Sequence, residues 1–329
     1  MRAMASLSQH KQNTGLPSEA EPNRTDVRRE LRSLSISSTG SLGGFLGGCC
    51  EFEHHHCFFL LLRLPPLVAD FSIVPWCDIY SSMVYNVSDI KYEMACVLYN
   101  IGALHTELGA MDQRNTPDGM KISCTHFQCS AWAFQNLRDT YSQPRESDLS
   151  PTLMTFMYNV ALAQAQECIL EKSMTDNRKP TIIAKVAMQV VEYLRTAMKN
   201  LAHGKAQDAA VADIVGSRQL KTWQRYCEFK QAYHLAVALL YQGMQAEEQQ
   251  KMGERLAYYQ AAVEKLGEAS KMAKNLDNKD QITETLTFAN DVMAGKLTAA
   301  QKENEFVYHE KVEIIQTDLK EKYSSKPIS

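Results

Sequence analysis

Apolar side chains recur at intervals of three and four residues along most of the chain, beginning near Ser88. The first run, IKYEMACVLYNIGALHTELGAM, carries them at Ile90, Met94, Val97, Leu98, Ile101, Leu104 and Leu108. Because an α-helix turns once in about 3.6 residues, this spacing gathers the apolar side chains along one side of a helix. The run therefore predicts an amphipathic helix over 90–111 whose apolar side packs on a neighbour.

Short stretches rich in polar residues, several of them with Pro or Gly, divide the rest of the chain into further periodic segments. The breaks are DQRNTPDG, SQPRESDLSP, TDNRKP and HGKAQDA. Between and after them, helices are predicted over about 120–141, 151–174, 181–201, 223–244, 251–273 and 280–305. Consecutive helices joined by short breaks pack side by side in antiparallel order. We therefore expect an all-α fold, an elongated and curved helical solenoid of about seven long helices.

The helices predicted over 223–244 and 251–273 have small residues where two packed helices would touch. These are Ala236, Gly243 and Ala246 in and just after the first, and Ala257, Ala261 and Ala262 in the second. Small residues at such points are typical of tetratricopeptide hairpins, in which paired helices approach closely. The pair is therefore predicted to form a tetratricopeptide-like hairpin.

Composition and charge narrow the function classes. The chain has 329 residues with only 15 Gly and 10 Pro, which favours long helices over a loop-rich or all-β fold. A formal net charge of −3 gives no global support for nucleic-acid binding. The longest apolar run, CFFLLL, is far shorter than the roughly 20 residues of a membrane-spanning helix. The nine cysteines predict free thiols in a reducing compartment, and the start MRAMASLSQHKQNTG shows no signal peptide.

The stretch CCEFEHHHCFFLLLRLPPL contains residue types that are common in catalytic and metal sites. In it, Cys57 follows His56, and Arg63 comes six residues after Cys57. This spacing matches the signature of cysteine-dependent phosphatases. The loop of such a site must be small and glycine-rich to cradle a phosphate, whereas here it would be Phe-Phe-Leu-Leu-Leu. Its cysteines and histidines could also bind zinc, but no second pair of ligands lies nearby. We interpret the stretch as part of an unstructured segment.

Other candidate constellations are weak as well. Cys124, His126 and Cys129 lie at offsets that scatter them around a helix, so they are predicted to be packing residues. GGFLGG lacks the lysine of a phosphate-binding loop. We therefore predict no enzyme, no catalytic residues, no metal site and no cofactor.

The helix predicted over 181–201 is the most informative one. Ile183, Ala187, Val190 and Leu194 form one apolar stripe, which suffices to pack the helix on its neighbours. Ile182 and Val186, one turn apart, extend the apolar surface toward a second side. Either both sides are buried between neighbouring helices, or the second side is an exposed strip that receives a partner helix.

Several segments resemble the Bro domain of endosomal sorting adaptors. They are KYEMACVLYNIGALHTELGA, DGMKISCTHFQCSAWAF, LAQAQECILEKSMTDNRKPTIIAKVAMQVVEYL and KENEFVYHE, which together cover about 74–309. Among members of that family, one whose full-length form carries a phosphatase domain is more similar than the others. The resemblance implies domain bounds of 73–312, with a disordered or non-homologous leader over 1–72 and a tail over 313–329.

The resemblance also implies a binding site and its partners. In the family, a groove binds the C-terminal amphipathic helix of ESCRT-III subunits of the charged multivesicular body protein class. Its contact positions fall here on Ile169, Lys172, Ile182, Val186, Lys121 and Thr125. The implied role is a non-catalytic adaptor in multivesicular body formation. It would be cytoplasmic, recruited to endosomes, and associated with membranes only through such endosomal sorting proteins.

Three points remain open at the level of sequence. The family's N-terminal strands do not resemble this leader, so the domain is expected to be truncated. The alternative functions are a tyrosine phosphatase, by family name and by Cys57, and a purely structural helical scaffold. Tyr308, in NEFVYHE, is expected either to pack on the preceding helices or, as the resemblance implies, to serve as a regulatory site.

Overall fold

Seven long helices follow one another along the chain. The computed structural model describes residues 75–78, 80, 84–86, 89–111, 114, 116–141, 147–202, 211–276, 279–313 and 315. The helices are α1 Ile90–Met111, α2 Pro117–Thr140, α3 Pro151–Thr175, α4 Pro180–Ala202, α5 Ser217–Glu248, α6 Met252–Ala273 and α7 Lys279–Glu303. A π-helical turn, Asn304–Tyr308, follows α7. The predicted all-α solenoid of about seven long helices is confirmed.

A small antiparallel hairpin precedes the helices, in a stretch for which periodicity predicted no element. Its strands are β1 Pro75–Cys77 and β2 Val84–Asn86, with Trp76 opposite Tyr85. The indole N–H of Trp76 donates to a carboxylate oxygen of Glu93 at 2.5 Å, which ties the hairpin to the first turn of α1.

Proline marks the start of three helices. Pro117, Pro151 and Pro180 stand at the beginning of α2, α3 and α4. Proline suits this position because its fixed φ is helical and its missing N–H would have had no helical acceptor. At α2 the side chain of Thr116 also accepts a hydrogen bond from the N–H of Gly119 at 3.0 Å. These local signals explain why the bounds of α2 to α4 lie within a few residues of those predicted.

Each helix packs mainly against the next one along the chain, from α1 on α2 to α6 on α7. This order makes the molecule an elongated, curved array and not a closed bundle. Two large apolar clusters fill it. One lies between the N-terminal helices and includes Phe156 stacked on Trp223 with ring centroids 5.2 Å apart. The other lies toward the C-terminal helices.

The α5–α6 hairpin confirms the role predicted for its small residues. Ala236, Ala246, Ala257, Ala261 and Ala262 are all buried. At Gly243 a Cβ atom would stand only 2.4 Å from Cε1 of Tyr259, so the two helices approach as closely as a glycine allows. α5 begins at Ser217, earlier than the predicted residue 223, directly after Gly216, whose φ of 81° suits glycine.

α1 differs from its prediction in the side that is buried. Val97 of the predicted stripe is buried, but Ile90 and Leu108 are exposed and Met94, Leu98, Ile101 and Leu104 are only half-buried. Small residues occupy the contact with α2 instead: a Cβ at Gly109 would lie 2.9 Å from the ring of Phe127. Helices approach more closely along such a side, so it is favoured over the bulkier stripe.

Two further expectations concern thiols and membranes. The cysteines within the described residues are free thiols, as predicted, with Cys96, Cys168 and Cys227 buried. Within that part of the chain, the helices are too polar or too short in their apolar stretches to cross a membrane.

Candidate binding surface

Three aliphatic side chains lie together at the surface where α3 and α4 pack. Ile169 on α3 and Ile182 on α4 keep 39% and 43% of their surface exposed, and Val186 on α4 is half-buried. The side-chain amide of Gln166 donates to the backbone oxygen of Val186 at 3.4 Å. Ile169 lies one turn after Gln166 on α3, and Ile182 lies one turn before Val186 on α4. We call Ile169, Ile182 and Val186 the apolar strip.

The other side of α4 is core. Ile183, Ala187, Val190 and Leu194, the predicted packing stripe, are each at most 2% exposed. A helix between two neighbours could have buried both of its apolar sides, which would favour a purely structural scaffold. Ile182 is instead exposed on a helix that is otherwise firmly packed. An aliphatic side chain in this position leaves apolar surface in water that a partner could cover.

Basic side chains border the apolar strip. Lys172 lies one turn from Ile169 and its ammonium is 3.2 Å from a carboxylate oxygen of Asp176. Lys185, one turn from Ile182, is exposed, a neighbour that sequence analysis did not single out. On α2, Lys121 and Thr125 are exposed, with the Thr125 hydroxyl donating to the backbone oxygen of Lys121 at 2.9 Å. The surface therefore combines an aliphatic centre with a positively charged border.

α2 is joined to this surface through its packing on α3. The thiol of Cys124 lies 3.6 Å from the backbone oxygen of Ala165, one turn before Ile169. Thr125 follows Cys124 directly, so it stands on the solvent side of the same contact. The six positions named by resemblance thus lie on three consecutive helices, five of them exposed and Val186 half-buried, and their role as partner contacts stays a prediction.

Buried charges lie on the inner side of α3, behind the apolar strip. The carboxylate of Glu167 is 3.0 Å from the ammonium of Lys230 on α5, and both are almost fully buried. Arg114 is 3.4 Å from the carboxylate of Glu171, again with both side chains buried. Burial opposes ionisation of Glu167, but the neighbouring charge of Lys230 leaves the pKa of Glu167 lowered. These pairs fix α3 from behind, and sequence analysis missed them because partners 50 or more residues apart leave no local pattern.

Two of the candidate metal residues of α2, Cys124 and His126, contact different helices. The Cys124 thiol faces α3, whereas Nδ1 of His126 lies 2.9 Å from Nδ1 of His105 on α1. Within the residues that the structure describes, no group of three or more metal-binding side chains comes together. His56, Cys57 and Arg63, with the rest of that Cys/His cluster, lie outside the described residues.

Tyr308 lies at the end of the π-helical turn. Its side chain is exposed, as are those of Phe306 and Val307 beside it. The turn closes where His309 adopts a left-handed φ of 53°. The expectation that Tyr308 packs back on the preceding helices is therefore met only in part.

Comparison with known proteins gives the fold a family. The model of the BRO1-like domain matches residues 56–321. The chain belongs to the BRO1-like domain family. The match begins before residue 74 and ends after residue 309, so it is wider than the resemblance carried by the sequence motifs.

Relatives of this BRO1-like domain are found among larger proteins. It is 48% identical over 244 residues to tyrosine-protein phosphatase non-receptor type 23 of Mus musculus, which covers 74% of this chain and 14% of that protein. It is 29% identical over 236 residues to programmed cell death 6-interacting protein of Homo sapiens, covering 70% of this chain and 25% of the relative. The chain thus spans a small part of these relatives, and the phosphatase name belongs to a protein of which the matched region is a minor share.

Solved structures agree on the fold. ALIX in complex with a late-domain peptide from SIVmac239 superimposes with a TM-score of 0.60 and 28% identity, over 71% of this chain and 31% of that one. An ALIX BRO1 CHMP4C complex gives a TM-score of 0.63 and 24% identity, over 91% of this chain and 83% of that one. The second structure covers most of both chains but at low sequence identity, and the match supports the helical architecture.

Proposed function

We propose that this BRO1-like domain is a non-catalytic binding module that receives the C-terminal amphipathic helix of an ESCRT-III subunit on the apolar strip. The observation that carries the proposal is the exposure of Ile182 and Ile169 on two helices that are otherwise packed. An amphipathic helix laid along such a surface buries its apolar side there. That a related BRO1 domain has been solved with CHMP4C supports this choice of partner.

The border of the strip favours a partner with acidic residues beside its apolar side. Lys121, Lys172 and Lys185 would meet those carboxylates at the rim of the interface. Rim charges of this kind mainly speed association and make it sensitive to salt. In this proposal the apolar strip supplies most of the affinity, and the lysines orient the partner helix.

The cellular role follows from the partner. By binding ESCRT-III subunits, and other endosomal sorting proteins, the domain would link cargo sorting to multivesicular body formation. It would act in the cytoplasm and reach endosomes through these partners, without contacting the membrane or nucleic acid itself. Tyr308, exposed after α7, is proposed as a position where this activity is regulated.

The proposal is tested by placing two carboxylates on the strip. In an Ile182→Asp/Val186→Asp variant, binding of a fluorescent peptide of the CHMP4C C-terminal helix should weaken by two or more decades. Each buried aliphatic side chain contributes about 1.5–3 kcal/mol, and a buried carboxylate adds a desolvation cost. Lys172→Ala should weaken binding less and mainly reduce its dependence on salt. The measurement is fluorescence anisotropy, with circular dichroism of each variant.

Val307→Asp is the matched control for this experiment. Val307 is an exposed aliphatic side chain like Ile182, but it follows α7, which packs mainly on α6. It should bind the peptide like the wild type. If the double variant is folded and also binds normally, the partner uses another surface. If it is unfolded, Ile182 and Val186 belong to the core and the assignment of the strip is wrong.

A further inference from the structure

One tryptophan side chain is exposed to solvent beside the proposed binding surface. Trp132 on α2 is 58% exposed, whereas Trp223 is buried in the core and Trp76 is half-buried and bonded to Glu93. Full burial of an aromatic side chain removes about 150–250 Å² from water, so an exposed one leaves much of that gain unused. Tryptophan is also enriched at the energetic centres of protein interfaces.

Trp132 belongs to the same exposed stripe of α2 as Lys121 and Thr125. The offsets of 11 and 7 residues place all three within a narrow sector of the helix, since each residue turns it by about 100°. All three are exposed, as are Gln128 and Gln135 between and after them. The surface that holds the predicted contacts on α2 therefore continues along the helix as far as Trp132.

The packing of α2 on α3 shows what lies opposite. Cys124 contacts the backbone of Ala165, and farther along α2 the guanidinium of Arg138 lies 5.3 Å from the centre of the Tyr158 ring. Trp132 is about midway between Cys124 and Arg138 along α2, so it stands level with the part of α3 between Ala165 and Tyr158. The solvent side of that part carries Leu162, which is half-buried.

Aromatic side chains continue this surface onto α4. Tyr158 and Tyr193 are both half-buried, and they are close enough to influence each other electrostatically. The exposed neighbours of the apolar strip include Lys172 and Lys185, whereas beside Trp132 they are Gln128 and Gln135, with the Arg138–Asp139 ion pair farther along α2. The surface therefore changes from aliphatic with a basic border at one end to aromatic at the other.

From these placements we propose that Trp132 is a second apolar anchor for the partner helix that the apolar strip receives. The inference rests on the proposed function and extends it to the partner's length and sequence. Seven residues separate Thr125 from Trp132 and Leu162 from Ile169, which corresponds to about 10 Å along a helix. The partner helix must therefore continue about two turns beyond the strip. It carries acidic residues at the strip end and an apolar residue over Trp132.

The experiment uses the full chain and three synthetic peptides of the CHMP4C C-terminal helix. One peptide is complete, and the other two are shortened by seven residues at one end or the other. Affinities are measured by anisotropy for the wild type, Trp132→Ala, Val307→Ala and the Ile182→Asp/Val186→Asp variant. Val307 is the control because it is an exposed apolar residue that follows α7, outside the three helices of the proposed surface. Circular dichroism checks the fold of each variant.

Trp132→Ala should bind the complete peptide about thirtyfold more weakly than the wild type, as for a truncated interface tryptophan. With one of the shortened peptides the two proteins should bind within twofold of each other, because that peptide no longer reaches Trp132. Val307→Ala should bind all three peptides like the wild type. Binding of the complete peptide should also shift the tryptophan emission to shorter wavelength, and Trp132→Ala should lack this shift.

The outcomes separate the inference from the function on which it rests. If the complete peptide binds, loses affinity with the strip variant and is indifferent to Trp132→Ala, the inference is wrong and the proposed function stands. An equal loss with all three peptides would also overturn it, since Trp132 would then act without touching the extension. If the complete peptide does not bind the wild type, both the inference about Trp132 and the proposed function are wrong. A wild type that sediments as a dimer and a monomeric Trp132→Ala would assign Trp132 to self-association instead.

Discussion

His234 lies inside the helical array, with Nδ1 2.8 Å from the backbone oxygen of Lys230 and Nε2 3.7 Å from a carboxylate oxygen of Glu167. Burial lowers the pKa of His234 to about 4 from a usual value near 6.5. The folded protein therefore keeps this imidazole neutral where the unfolded chain protonates it. Because the unfolded state binds more protons in this window, stability decreases as the pH falls from about 6.5 to 4.

A His234→Gln variant should remove that part of the acid sensitivity. Between about pH 6.5 and 4, the wild type should lose about 3 kcal/mol more of its free energy of unfolding than the variant. Urea unfolding at several pH values, followed by circular dichroism, measures the difference. Asp148, whose pKa burial raises to about 6, contributes the opposite slope in both proteins and so cancels in the comparison. Parallel curves for the two proteins would contradict the lowered pKa of His234.

Single residues also show how far sequence reasoning reaches. Resemblance to the family predicted Ile169, Ile182 and Val186 as contact positions, because the family's motifs carry them. Periodicity could not locate Trp132, since it shows which residues share a side of a helix but not which side a neighbour covers. The Glu167–Lys230 pair was not predicted for another reason. Its two residues lie on different helices, and the sequence around each one gives no indication of the other.

Among the elements, α1 is a case in which periodicity predicted the wrong buried side. The α5–α6 hairpin is a case in which the sequence predicted the contact correctly. In α1 the large aliphatic residues were expected in the core, but Gly102 and Gly109 let α2 approach along the smaller side. In the α5–α6 hairpin the small residues themselves were the signal, and the structure confirms them. Small residues at helical spacing therefore predict close contacts, and in α1 they outweighed the periodicity of the larger ones.

The closest of these approaches can be tested with one methyl group. Gly243→Ala should destabilise the protein, because its Cβ would meet the buried ring of Tyr259 at 2.4 Å, and overpacking of this kind costs about 1–3 kcal/mol. The helical preference of alanine over glycine, about 1 kcal/mol, offsets part of that cost. Thermal unfolding measures the net effect, expected as a fall of a few degrees in the midpoint.

Gly267→Ala in α6 is the control for that substitution. Nothing lies within 4 Å of a Cβ at Gly267, so only the helical preference acts and the midpoint should rise. A rise for both variants would mean that Tyr259 moves aside at little cost. The contact at Gly243 would then not determine how closely α5 and α6 pack.

For the whole molecule, the proposed domain bounds lead to a prediction about its N-terminal residues. Residues 1–48 are rich in Ser, Gly and Asn, and a segment of this composition contributes little buried surface. Deleting residues 1–70 should therefore leave the thermal unfolding midpoint unchanged. The match to the BRO1-like domain begins at residue 56, so deletion of 1–55 is the informative companion. A loss of several degrees with the longer deletion alone would show that residues 56–70 stabilise the domain.

The buried ion pair between Glu167 and Lys230 has a consequence for the whole array. It joins α3 to α5 directly, past the intervening α4, while most other packing runs from one helix to the next. In a purely sequential array, layers can peel away from either end one at a time. A bond that spans three layers makes them open together or not at all, since parting the pair would leave a charge buried alone. Local unfolding that begins at α1 or α7 should therefore not reach α3 and α4. The apolar strip should keep its shape while the terminal helices open and close.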